Sequence, residues 1–139
     1  GFTALFWAVD RRNMETAPNF PWIITEDPLP LVRQLLDAGA DPNIIINETP
    51  KALMREGSPR IVFATALMRA AFSGDPELVR LLLEYGADPF IRSSEDETTL
   101  GAAAGLGFID GFHKARPLTE RLEVVRILVE LGLDTALLP

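Results

Sequence analysis

Three stretches of the chain carry residue types that could do chemistry. Glu95-Asp96-Glu97 places three carboxylates in a row, enough charge to attract a hard cation, but the alternating oxygens and the glycine of a calcium loop are missing, so a solvated turn is expected. Gly101-Ala102-Ala103-Ala104-Gly105-Leu106-Gly107 is small and glycine-rich like a phosphate cradle. No Gly-Lys-Ser/Thr follows it, and its alanines fall at the spacing of a helix packing face, so close helix contact is expected there instead. His113 is the only histidine and cysteine is absent, which leaves little for a nucleophile and base pair and removes a thiolate metal site and a disulfide framework. The other carboxylates fall on what read as solvent faces, and an enzyme remains only a remote alternative. What is left is the chemistry of recognition: Trp22 within Phe20-Pro21-Trp22-Ile23-Ile24, Phe112 beside His113 and Lys114, and the basic series Lys51, Arg55, Arg60 and Arg69 in an otherwise acidic chain.

The elements that must position these residues are clearest between Thr65 and Pro89. Thr65 is a good N-cap, because its hydroxyl can accept from an amide otherwise unpaired in the first helical turn. Leu67, Ala70 and Ala71 then recur at i, i+3 and i+4, an apolar face kept flat by alanine. Ser73-Gly74-Asp75-Pro76 breaks this helix, and Pro76 with Glu77 opens a second one that carries Leu78, Val79, Leu82 and Leu83. Gly86 suits the left-handed residue that closes a helix, and Asp88-Pro89 turns the chain away.

The same pattern recurs on both sides. Gly39-Ala40-Asp41-Pro42-Asn43, Gly86-Ala87-Asp88-Pro89 and Gly132-Leu133-Asp134 follow helices whose apolar positions superimpose: Leu31, Val32, Leu35, Leu36; Leu78, Val79, Leu82, Leu83; Val124, Val125, Leu128, Val129. First helices open at Thr3-Ala4-Leu5, Thr65-Ala66-Leu67 and Thr98-Thr99-Leu100, and Thr98 follows Thr65 by 33 residues. A single hairpin of this kind cannot bury its own apolar face, so the copies are expected to stack.

On these residues the chain resembles the ankyrin repeat family, with a closer likeness to bacterial multi-repeat ankyrin proteins whose repeats bear insertions. The resemblance implies an all-α solenoid of three helix-turn-helix repeats with long inter-helix and finger insertions. The chain departs from the family pattern after the capping threonine, where Ala4, Ala66 and Thr99 replace proline, and after the leucine, where Phe6, Met68 and Gly101 replace histidine. The usual polar network between helix-opening turns is affected, but the capping threonines, leucines and terminal glycines remain. The expected layout is a single repeat domain over 1–139: repeat one 1–43 with an insertion at 13–28, an extended finger 44–64, repeat two 65–90, a finger 91–97, and repeat three 98–134 with an insertion at 108–120. Phe2, Phe6 and Trp7 are large for an exposed end repeat. They suggest either a segment of a longer array or side chains folded back on the first insertion.

The insertions add about thirteen to fifteen residues each where a turn of a few would suffice, and loops of that length in compact domains tend to be functional or disordered. Trp22 and Phe112 are their candidate anchors for a partner, with packing as satellite clusters the alternative. Both lie between the helices of their repeat, so they are expected to leave along one edge of the stack, on either side of the short turn of repeat two, and to wall a shallow trough there. In the finger, Ile44-Ile45-Ile46 reads as a short strand and Pro50 to Arg55 as a helical turn. Its basic side chains suit either a solvated loop or an acidic partner peptide.

Composition limits the partners. Thirteen basic against twenty acidic residues give a net charge of −7, which argues against nucleic acid or an anionic membrane surface. No apolar run approaches a membrane span and no basic-then-apolar leader stands at Gly1, so the chain reads as soluble, and without cysteine its compartment is unmarked. No cofactor is expected. The resemblance implies a non-catalytic module that binds a protein or peptide on a concave groove. By the family's pattern that groove is lined by Phe2, Asp10 and Arg11 of repeat one, Arg69, Phe72 and Ser73 of repeat two, and Glu97, Gly105 and Leu106 of repeat three. Two further possibilities are a structural spacer within a larger multidomain protein and end-to-end self-association through open terminal repeats.

Overall fold

A computed structural model describes residues 3–13, 26–46, 65–105 and 116–135, and all regular structure among them is helical. In chain order the helices are α1 (Ala4–Arg12), α2 (Leu29–Asp37), α3 (Ala66–Ser73), α4 (Pro76–Glu84), α5 (Thr99–Ala103) and α6 (Leu118–Glu130). Each first helix packs on its own second helix, α3 lies against both α1 and α5, and α6 against α4. The chain is therefore a solenoid of three helical hairpins stacked in sequence order.

The local causes are those legible in the sequence. Thr3, Thr65 and Thr98 cap the first helices, their hydroxyls accepting from the amides of Phe6 at 3.1 Å, Met68 at 3.3 Å and Gly101 at 2.9 Å. Each such cap is worth about 1 kcal/mol, and none depends on the proline or histidine of the family pattern that this chain lacks. At the end of α4 the Gly86 amide donates to Leu83 O and the Ala87 amide to Leu82 O, a closure that needs Gly86 at φ +88°. The same pair of bonds closes α2 at Gly39 and α6 at Gly132. Asn43 joins repeat one to repeat two by donating to Gly86 O at 2.9 Å and accepting from the Asp88 amide at 2.7 Å.

The core runs along the stack. Leu67, Ala70, Ala71, Leu78, Val79 and Leu82 of the central hairpin are fully buried, joined by Val32 on one side and Val124 and Leu128 on the other. The alanines keep α3 thin enough to lie between two neighbours. Gly74 closes α3 at φ +69°, and a Cβ there would come within 2.5 Å of Arg121 Cγ, so this turn must lack a side chain for α6 to approach.

Three expectations change. Ile44, Ile45 and Ile46 form no strand, and no strand stands among the described residues to pair with them; Ile46 alone turns into the core while Ile44 and Ile45 stay exposed. The first helix of repeat three is only five residues long, since Gly105 takes the left-handed conformation at φ +87° just after it, so Gly105 lies beyond the helix rather than on its groove side. Phe6 is a core residue at 4% exposure, whereas Trp7 stays partly open with the Arg11 guanidinium 4.3 Å above its ring. Residues Gly101 to Ala103 are buried helix, the packing role expected for that small-residue run.

Thr99, which stands where the family pattern has proline, is fully buried and its hydroxyl has no hydrogen-bond partner. A buried, unpaired hydroxyl costs about 1 to 3 kcal/mol. Thr99→Val, nearly isosteric, is expected to raise the thermal midpoint by several degrees in a calorimetric scan; an unchanged or lower midpoint would show that the hydroxyl is satisfied.

Candidate interaction surface

The groove positions lie on the first helices and the fingers. In the middle repeat they are occupied by one another. Arg69, only 6% exposed, donates through Nε to Asp10 of the preceding repeat at 2.6 Å and through Nη1 to the Ser73 hydroxyl one turn further on, while Ser73 Oγ donates to Arg69 O at 3.1 Å. Phe72, at 2% exposure, closes a small cluster with Met68, Ala102 and Ile91 of the finger. These three side chains support the surface from beneath; their register was legible, but the neighbours on both sides that cover them were not.

The groove positions that are not fully buried are at the ends. Asp10 and Arg11 are half-buried at one side and Glu97 at the other, next to exposed Glu95 and Asp96. This acidic turn is tightly built. Ser93 donates its amide to Glu97 O at 3.0 Å, its hydroxyl accepts from the amides of Glu95 and Glu97, and Asp96 sits at φ +62°. Burial, and then the charge of Glu95, push the Glu97 carboxyl above its usual range. Phe2, Leu106, Trp22 and Phe112, like Lys51, Arg55, Arg60 and His113, lie outside the described residues, as does the turn expected at 50–55.

A second constellation was missed by sequence reasoning. Asp75 does not lie on a solvent face: it is fully buried in the short turn between α3 and α4. Its Oδ1 accepts from the Leu78 amide at 3.2 Å and so caps α4. Its Oδ2 accepts from Arg12 Nε at 2.7 Å, Asn13 Nδ2 at 2.9 Å and Arg116 Nη2 at 3.1 Å. Arg12 reaches on to Asp27 at 2.6 Å and Glu77 at 2.8 Å, and Arg116 to Asn13 at 2.7 Å and Glu120 at 2.9 Å. Burial works against the charge on Asp75, but the bonds from Arg12 and Asn13 and the charges of Arg12 and Arg116 outweigh it and hold the carboxyl below its usual range. An aspartate before the helix-opening Pro76 was the available signal for the cap; nothing in the chain order pointed to the two arginines.

Arg12, Asn13 and Asp27 bracket the first insertion, and Arg116 and Glu120 lie at the end of the third-repeat insertion, so the described ends of both meet at this one edge beside the short turn of repeat two. The trough expected between the insertions lies outside the described residues. Among the described residues no helix is long and apolar enough to cross a membrane, and no three His, Cys, Asp or Glu side chains are grouped as a metal site.

Comparisons with known proteins agree with this architecture. A family model described as ankyrin repeat matches residues 64–94. Two proteins of Rickettsia felis, both named as ankyrin repeat proteins, are each 48% identical over 44 residues, which is 32% of this chain and 70% and 67% of theirs. Among solved structures, the crystal structure of the ankyrin repeat domain of Bcl-3, described as a unique member of the IkappaB protein family, matches over 98% of this chain with a TM-score of 0.61 and 23% identity. The chain spans 42% of that structure, and at this identity the likeness concerns the fold alone.

Proposed function

Because the chain belongs to the ankyrin repeat family, whose repeats are generally protein-protein interaction modules, we propose that it binds a protein or peptide segment along the surface of its first helices and fingers, with a basic side chain of the partner seated at Glu95-Asp96-Glu97. The observation that carries this reading is the fixed acidic turn, where Glu97 is crowded by Glu95 and held half-buried by the bonds to Ser93. Burial, and then the charge of Glu95, raise the Glu97 carboxyl, and a cation beside it would offset both; Asp96 is already paired with Arg92 at 2.9 Å. Arg69, Phe72 and Ser73 act beneath the surface, keeping it preorganised so that little ordering entropy is lost on binding.

Panning a random peptide library against the chain tests this. Selected peptides are expected to be rich in Lys and Arg and to lose at least about tenfold in affinity, roughly 1.4 kcal/mol, to the triple variant Glu95→Gln, Asp96→Asn, Glu97→Gln. Affinity is expected to increase as pH rises through the elevated Glu97 value, since a cation prefers the ionised form. Peptides that ignore the triple variant would move the site elsewhere, and a library that yields no binder would favour a spacer role.

A further inference from the structure

In a stack of repeats each hairpin ordinarily touches only the ones before and after it, so opening can begin at either end. The helices here keep that order, α3 lying between α1 and α5 and α4 beside α6. One side chain does not. Arg116, just ahead of α6, donates through Nε to Asn13 Oδ1 at 2.7 Å, through Nη2 to Asp75 Oδ2 at 3.1 Å and through Nη1 to Glu120 Oε2 at 2.9 Å. Its guanidinium therefore bonds to repeats one, two and three at once, and the bond to Asn13 spans 103 residues and skips the repeat between. The contact is enclosed: Asn13 is 2% exposed, Asp75 is fully buried and the Arg116 side chain is 17% exposed. Salt screens such bonds little, and the planar guanidinium holds its donors in a fixed fork that an ammonium cannot copy.

A second observation lies at the other end of the helices, where they meet the fingers. There Asn43 ties repeat one to repeat two through Gly86 O and the Asp88 amide. Gly86-Ala87-Asp88-Pro89-Phe90 repeats Gly39-Ala40-Asp41-Pro42-Asn43, which puts Phe90 in the place of Asn43. A phenyl ring can make neither bond, and Phe90 is 61% exposed, so this clasp does not recur between repeats two and three. The tie from Arg116 at the opposite edge is its counterpart.

We propose that Arg116 is a strap that locks repeat three to repeat one across the short turn of repeat two, so that the three repeats open as one unit and neither end frays alone. Asp75 is its anchor and Asn13 its far hook. Asn13 Nδ2 donates to Asp75 at 2.9 Å while its Oδ1 accepts from Arg116, so the two neighbours together hold the amide in one orientation. Arg12, bonded to the same Asp75 oxygen at 2.7 Å, keeps repeats one and two joined when the strap is cut, and the repeat set free is repeat three. The strap concerns the stack itself and stands whether or not the acidic turn binds a partner.

Urea unfolding of the 139-residue chain, followed by two probes, tests this. Both tryptophans, Trp7 and Trp22, belong to repeat one in the sequence, so fluorescence reports that end while far-ultraviolet circular dichroism reports every helix. The two curves are expected to coincide in wild type and to part in Arg116→Met, with helix signal lost first as repeat three opens. Amide hydrogen exchange reads the tie itself. Asn13→Ala, a change in repeat one, is expected to speed exchange in α6 at least about fivefold, and to add nothing there once Arg116→Met is present. Should Arg116→Met not fold, Arg116→Lys gives the same comparison, since it keeps the charge without the fork. Curves that already part in wild type, curves that still coincide after the strap is cut, or α6 exchange that ignores Asn13→Ala each overturn the proposal.

Discussion

Asp75→Ala is expected to lower the unfolding free energy by about 3 to 4 kcal/mol and the thermal midpoint by roughly 10 °C. About 1 kcal/mol of this is the lost cap on α4, where Oδ1 accepts from the Leu78 amide. The remainder comes from leaving Arg12 and Arg116, at 8% and 17% side-chain exposure, facing a vacated site. The loss falls short of the full cost of orphaning two buried cations, because Arg12 keeps Asp27 and Glu77 and Arg116 keeps Glu120. Asp75→Asn separates the two parts: its amide oxygen can still cap α4, so its cost reports the charge.

The pH dependence follows from the direction of the shift. Folding holds the Asp75 carboxyl below its usual range, so the native chain keeps this group ionised at pH values where the unfolded chain has protonated it. Its stabilisation is complete above about pH 4, near the ordinary aspartate value, and disappears as pH falls through the depressed native value. The gap between wild type and Asp75→Asn is therefore expected to be widest near neutrality and to narrow below about pH 4, measured by urea unfolding at several pH values. A gap independent of pH would mean that Asp75 acts as a cap alone.

Leu78→Ala is expected to cost about 3 kcal/mol, while Leu31→Ala, at the same register position one repeat earlier, costs about 0.5 kcal/mol or less. Leu78 is fully enclosed between α4 and its neighbours, so truncation leaves a cavity that the rigid stack closes poorly. Leu31 is half open to solvent and loses little. Equal costs at the two positions, in chemical denaturation of both variants, would contradict the stacking order on which the surface depends.

The boundaries of the helices were legible because their causes are local. Thr3, Thr65 and Thr98 bond three residues ahead, and Gly39, Gly86 and Gly132 close helices by bonds that span five residues at most. Gly105 escaped because the small-residue run before it fits a helix equally well whether it stops at Ala103 or continues. The groove residues show the next limit. The family resemblance grouped Arg69, Phe72 and Ser73 on the groove side of their helix, and their burial depends on Asp10 and Ile91, which come from other elements.

What the sequence determined by itself is the repeat: caps, flat alanine faces, glycine closures and the period that brings them back in register. What only the tertiary structure decided is which of several equivalent side chains are covered, and that Asp75 gathers Arg12 from 63 residues away and Arg116 from 41. The reason is physical. A cap or a turn is set by the torsions of a few consecutive residues, whereas burial and the pairing of distant charges exist only once the hairpins have stacked.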